Sequence, residues 1–282
     1  MMSSLLLYKG EYHSKGGEIM AIKSAKDIRL NAEKLNIYGL GAFGTGKSVF
    51  ASTFPTPGFV FDFDNRIATY RGRDWDYVTF ALSQKGWVDF ETTYRQVQKD
   101  CAAGKYKTVV LDSTTSMTDT AMERAMQLDP KRSPEGGPIW NVHYQIVKNL
   151  MEPKLHGLLN LPCHVIMLGH WKVTTDQKTG NILSVDPLLT GQLSEKVPGY
   201  FNEVYAFFSK VKEGKDIFYF RTVTQNFFKS RSTISGPRRL LPDEIPNNYV
   251  SLKNHIDTTV AKEAEIRRKQ DEKTAEELPA DS

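Results

Sequence analysis

Gly41-Ala42-Phe43-Gly44-Thr45-Gly46-Lys47-Ser48 is the stretch on which the fold turns. Its spacing, G-x-x-x-x-G-K-[ST], lets a glycine-rich backbone wrap with successive N–H groups facing inward, where phosphate oxygens can accept them. The flanks agree. Lys34 to Gly39 reads as a short strand entering the turn, and Ser48 to Phe54 as a helix leaving it, closed by Pro55 and Pro57. A helix starting there adds the positive end of its dipole. Gly41, Ala42, Phe43, Gly44, Thr45, Gly46, Lys47, Ser48 and Val49 therefore read as a cradle for ATP. Lys47 would neutralise the outer phosphates, and the Ser48 hydroxyl would be a ligand of Mg²⁺. The competing reading, a plain glycine-rich turn before a basic helix, has the flanks against it.

Three more apolar runs follow in α/β order. Gly58 to Asp64 is apolar and then acidic, the pattern of a buried parallel strand that delivers carboxylates at its C-terminal end. Helical sequence from about Trp87 to Ala103 precedes Tyr106 to Ser113, where Val109-Val110-Leu111-Asp112 has the Walker-B form. Asp112 is expected to orient Mg²⁺ through its water shell; taken alone, it reads equally as a helix cap. Cys163 to His170 is a third strand, ending in a polar group able to sense a terminal phosphate, although a histidine at a strand end also serves structural ends.

In this order the elements resemble the RecA-type recombinase core, and particularly its short phage relatives, which include single-strand-annealing ATPases. The resemblance covers roughly residues 33–235. It implies an α/β, RecA-like P-loop NTPase fold: a mostly parallel sheet flanked by helices, with a C-terminal β-hairpin extension. In that family the strand after the phosphate-loop helix ends in the carboxylate that activates the attacking water, and Asp64 falls there, where the family usually has Glu. Asp112 falls on the metal-orienting position. His170 falls where the family places a Gln that couples nucleotide state to the DNA-binding loop. Val204 to Phe208 and Ile217 to Arg221 form the expected hairpin around Lys212-Glu213-Gly214-Lys215-Asp216. Lys229-Ser230-Arg231 resembles the short basic motif that reaches the ATP of a neighbouring subunit, so Lys229 and Arg231 are implied to act in trans. The resemblance further implies an ATPase stimulated by single-stranded DNA, self-association into a ring or filament, a single-strand-binding protein as an additional partner, and phage origin with residence in the host cytoplasm. Two other classes stay open: a packaging or helicase-type motor, and a P-loop small-molecule kinase.

Ligand loops of a doubly wound sheet gather at the C-terminal ends of its strands. Two stretches rich in Gly, Pro and basic residues are expected there as long loops. One is Asp129 to Pro138, with Lys131 and Arg132, ending near Trp140. The other runs from Trp171-Lys172 through Lys178 to about Thr190. Their cations suit phosphates and their tryptophans suit base stacking, although tryptophans beside loops also serve as core anchors.

The 282-residue chain carries 37 basic and 33 acidic side chains, with 40% hydrophobic residues, which excludes a disordered, collagenous or disulfide-scaffolded protein. The net charge of +4 is unevenly spread: residues 262–282 hold five basic and seven acidic groups, while residues 210–239 hold eight basic and two acidic. Cys101 and Cys163 are expected as buried, reduced thiols. No apolar run approaches the roughly 20 residues that span a bilayer. Three regions are expected: a flexible extension over 1–19, an ATPase domain over 20–250, and a charged helical and disordered tail over 251–282. Lys15-Gly16-Gly17-Glu18-Ile19 can be encoded by a ribosome-binding sequence, so two readings stay open: a start at Met20, or an ordinary disordered N-terminus with an accidental Gly-Gly.

Overall fold

The computed structural model describes residues 34–234 and 239–276. The extension expected over 1–19 and the start at Met20 lie outside them, as do Arg238 and the last residues of the tail.

The chain runs β1 (Asn36–Gly41), α1 (Lys47–Ser52), β2 (Gly58–Asp62), β3 (Trp75–Thr79), α2 (Gln84–Ala102), β4 (Thr108–Asp112), α3 (Thr114–Leu128), α4 (Trp140–Leu159) and β5 (His164–Gly169). It continues through β6 (Trp171–Thr175), β7 (Ile182–Pro187), α5 (Leu193–Lys196), β8 (Glu203–Lys212), β9 (Lys215–Arg221), β10 (Arg231–Ser232), β11 (Glu244–Pro246) and α6 (Tyr249–Glu276). Among the described residues, nine strands form one sheet in the order β11-β9-β8-β1-β5-β4-β2-β3, with β10 also paired to β8. From β3 to β8 every pairing is parallel, and β9, β10 and β11 add antiparallel strands at the C-terminal side. This is the expected RecA-like α/β architecture with its hairpin extension.

Side chains alternate across the sheet with the period of two that a strand imposes. Phe59, Phe61, Val109, Leu111, Val165 and Met167 face a core closed by α2, α3 and α4. Val60, Val110, Ile166 and Leu168 face the opposite side, with Phe50 of α1 and with Leu252 and Ile256 of α6. Each full burial of such a side chain stabilises the fold by about 1.5–3 kcal/mol. The central strands are buried on both faces, which is why they read in sequence as unbroken apolar runs.

The segment expected as a tail from residue 251 begins inside α6, whose first turns carry Leu252 and Ile256 into the core. Cys101 and Cys163 are buried free thiols, their sulfurs 3.9 Å apart. The turn between β8 and β9 has Glu213 at φ 53° and Gly214 at φ 72°, the paired left-handed residues of a tight hairpin. The stretch expected as a second long loop is instead a two-stranded hairpin, β6–β7, paired only with itself. Its β-branched residues, among them Val173, Thr174, Thr175, Ile182 and Val185, favour strands, and the turn between closes locally. Asp176 Oδ1 accepts the amides of Lys178 and Thr179, both at 2.8 Å, and Gly180 takes φ 72°.

Candidate active site

The strand order decides the geometry of the site. The C-terminal ends of β1, β5, β4 and β2 lie side by side at the usual spacing of roughly 4.8 Å per strand. Asp62, Asp112 and Leu168 are aligned in register, as are Leu40 and Gly169. The phosphate loop after β1, His170 after β5, Asp112 closing β4 and Asp64 just beyond β2 therefore face one cleft.

Gly44 and Gly46 have φ of 73° and 79°, the left-handed region that the wrapped loop requires. A Cβ on Gly46 would lie 2.7 Å from both Phe218 Cγ and Asn247 Nδ2, whereas one on Gly44 meets nothing within 4 Å. Lys47 is buried. Its ammonium donates to the carbonyls of Gly41 (3.0 Å) and Ala42 (2.7 Å) and has no carboxylate within ion-pair distance among the described residues. Burial lowers its pKa to about 8, against the pull of Asp112 and Asp64 and with the help of Arg66. A buried cation bonded only to carbonyls fits an incoming anion.

Ser48 Oγ donates to Asp112 Oδ2 at 2.6 Å, which brings together the two groups expected at Mg²⁺. Burial, with the nearby Asp64 charge, pushes the Asp112 carboxyl up to about 6 although Ser48 and Lys47 oppose it. A divalent cation would relieve that penalty, so the hydroxyl–carboxylate pair suits one.

Asp64 is set by its neighbours. The amides of Phe63 (2.6 Å) and Asp64 (3.3 Å) donate to the Asp112 carbonyl, tying this corner to β4. Asp64 Oδ1 accepts the hydroxyls of Ser113 (2.9 Å) and Ser116, and His170 Nε2 lies 3.6 Å from Oδ2. Burial raises this carboxyl, but the partners His170, Ser116 and Ser113 together outweigh it and hold it at about 2. The His170 amide in turn donates to Thr115 Oγ1 (3.1 Å), which fixes the end of β5 on α3.

The remaining sequence-derived residues lie elsewhere. Lys229 pairs with Asp186 (3.2 Å) beside a separate small cavity lined by Trp171, Pro187 and Phe228. The Arg231 guanidinium donates to the carbonyls of Pro198 and Phe201. Neither cation lines this chain's own phosphate cleft. Arg132 folds back onto the end of α3, donating to Met126, Asp129 and Lys131 carbonyls, while Lys131 is exposed. The Trp171 ring packs against Phe208 and Phe228, and Lys172 and Lys178 are exposed on the β6–β7 hairpin. Part of the basic run at 210–239 is answered locally, since Glu244 takes both Lys210 (3.7 Å) and Arg221 (2.9 Å).

Two contributors escape sequence reading. Arg66 lines the phosphate cleft of about 210 Å³. Asn247 Nδ2 donates to the Gly46 carbonyl at 2.8 Å, and the Tyr249 amide donates to Thr53 Oγ1 at 2.8 Å. Gly46 and Thr53 are the two caps of α1, so the segment leading into α6 clamps the phosphate-loop helix at both ends. Asn247→Asp replaces this donor with a carboxylate facing a carbonyl. It is expected to weaken nucleotide binding about tenfold and to cost about 1–3 kcal/mol of stability. Titration and thermal melts check this; unchanged values in both would remove the clamp.

A glycine-wrapped phosphate loop, a lysine and serine at the start of its helix, and an acid on a strand separated from β1 by β5 define a P-loop nucleoside triphosphatase core. Residues 33–232 match the AAA_24 family, an AAA domain, and the chain belongs to that family of P-loop ATPases. No curated protein gives a significant match. Among solved structures, a KaiC-like protein from the hyperthermophilic archaeon Pyrococcus horikoshii OT3 is similar at 15% identity, over 75% of this chain and 84% of that one, with a TM-score of 0.41. No helix among the described residues is long and apolar enough to cross a membrane.

Proposed function

We propose that the protein is an ATP-hydrolysing, RecA-type ATPase that acts on single-stranded DNA in phage recombination or strand annealing. One observation supports this most: β6 starts at the residue after His170, and His170 lies against Asp64 in the phosphate cleft. A projecting hairpin bearing Lys172 and Lys178 is thus one peptide bond from a group that meets the nucleotide. A change at the terminal phosphate would move the hairpin, and the hairpin's hold on a polyanion would move His170 in return.

In this reading ATP lies on residues 41–49, Ser48 and Asp112 hold Mg²⁺, and Asp64 orients the attacking water. Bound Mg²⁺ supplies charge neutralisation across the outer phosphates. DNA phosphates are met by Lys172 and Lys178 on the hairpin and by Lys131 and Arg132 on the loop after α3. Trp140, exposed and tilted against Tyr144, offers the better base-stacking face, because Trp171 is engaged internally. Lys229 and Arg231, being off their own cleft, are assigned to a neighbouring subunit's ATP in a ring or filament.

The test is ATP turnover with and without single-stranded DNA, read alongside oligomer size and salt dependence. Turnover should rise with DNA, assembly should require nucleotide, and DNA affinity should fall steeply with salt, as phosphate-dominated binding does. Turnover indifferent to DNA, in a protein that stays monomeric, would favour the kinase class.

A further inference from the structure

Arg66 follows β2 by four residues and has no sequence motif of its own, yet its placement is tightly determined. Its amide donates to Oδ1 of the buried Asp62 at 3.2 Å, and Asp62 also accepts the Thr79 hydroxyl at 2.8 Å. Asn65, at φ 55°, turns the chain just before it, and the short 3₁₀ turn Ile67–Tyr70 starts just after. Tyr70 anchors that turn in the core. The backbone under Arg66 is therefore pinned to β2, β3 and the core.

Arg66 lines two adjoining cavities, of about 210 and 240 Å³, that share Asp64, Arg66 and His170. Lys154, Arg221 and Lys229 each have a carboxylate partner, but Arg66 has none within ion-pair distance among the described residues. Lys47 lines the same cleft. Two cations facing one cavity repel each other unless an anion lies between them.

We propose that Arg66 binds the terminal phosphate of ATP from within the same chain, so that recognition of ATP over ADP is a property of the single subunit. The assignment rests on the nucleotide reading of the cleft. The loop amides serve the inner phosphates and Lys47 reaches toward the outer ones, while Arg66 borders the end of the cleft where Asp64 and His170 meet. A planar guanidinium with a fork of donors matches a phosphate that carries free oxygens, which the terminal phosphate does and an internal one does so less. The proposal leaves Lys229 and Arg231 free to act after assembly.

The experiment titrates wild type, Arg66→Ala, Arg66→Lys and Lys47→Ala with a non-hydrolysable ATP analogue and with ADP, both with Mg²⁺. Protein is kept dilute enough to be monomeric by light scattering. Arg66→Ala should lose about 10- to 100-fold in affinity for the ATP analogue and little for ADP, the range expected for a charge-assisted contact. Arg66→Lys should fall between. Equal losses for both nucleotides, or none, would overturn the proposal, since a purely structural role does not discriminate the terminal phosphate. Should Arg66→Ala not fold, Arg66→Lys decides by the same ratio. Wild type that binds neither nucleotide would refute the cleft reading itself, and this proposal with it. Lys47→Ala losing both while Arg66→Ala loses neither would refute only the proposal.

Discussion

Lys47→Ala is expected to weaken binding of Mg²⁺–ATP by at least about 100-fold while leaving the fold intact, since it removes the one buried cation in the phosphate cradle. The ammonium makes two carbonyl hydrogen bonds and bears a desolvation penalty that pulls its pKa down to about 8. Losing both together should change the melting temperature of the nucleotide-free protein little. The ligand effect is different: ATP at 100 times its Kd stabilises the wild type by about 2.7 kcal/mol, and that shift should vanish in the variant. The sign with pH follows from the same burial. Anionic phosphate favours the charged lysine, so raising the pH through about 8 deprotonates the empty site and must weaken binding in the wild type. Lys47→Ala should lack that alkaline loss. An unchanged affinity in the variant would refute the phosphate-loop assignment outright.

The parts of this site that could be read from sequence are those whose signal is local. The phosphate loop is a contiguous run whose glycines, lysine and serine are each demanded by backbone geometry or charge. β2, β4 and β5 announce themselves because burial on both faces leaves no polar alternation, and the acids at their ends mark which edge carries chemistry. Asp64, Asp112 and His170 are brought together as that pattern implies. What could not be read depends on pairings between distant segments. Asn247 reaches Gly46 across 201 residues, and nothing around it in sequence distinguishes it from a turn asparagine. Arg66 looks like any surface cation until Asp62 is seen to hold its amide. β3, a partly exposed edge strand bearing Asp76, lacks the apolar run of a central strand, and only the Gly72 turn before it marks its start. The 171–187 stretch carried strand-forming residues, but its Gly and Lys content reads as loop until Asp176 closes the turn. The charge excess at 210–239 likewise ignored Glu244 and Asp186, which the fold brings to it.

Replacing Asp64 should separate turnover from binding. Its carboxyl is held at about 2, so it is a weak proton acceptor near neutrality, and Brønsted behaviour makes it a poor general base. Phosphoryl transfer through a loose transition state asks little of a base and much of positioning. The geometry agrees with positioning: Ser113 and Ser116 hold one carboxylate oxygen and His170 lies against the other, so the group cannot rotate freely. Asp64→Ala is expected to lower kcat by about 10²- to 10³-fold with Kd for Mg²⁺–ATP changed by less than about threefold. Asp64→Asn is the sharper variant. Its amide oxygen can still accept the serine hydroxyls and orient a water, although the charge is gone. If orientation dominates, Asn should retain about tenfold more activity than Ala, because only the charge-dependent part is lost. Single-turnover hydrolysis with Kd measured in parallel gives both numbers. Asn as inactive as Ala would mean that the negative charge, or proton acceptance despite the low pKa, carries the step. Loss of binding in both variants would place Asp64 at the metal instead of at the attacking water.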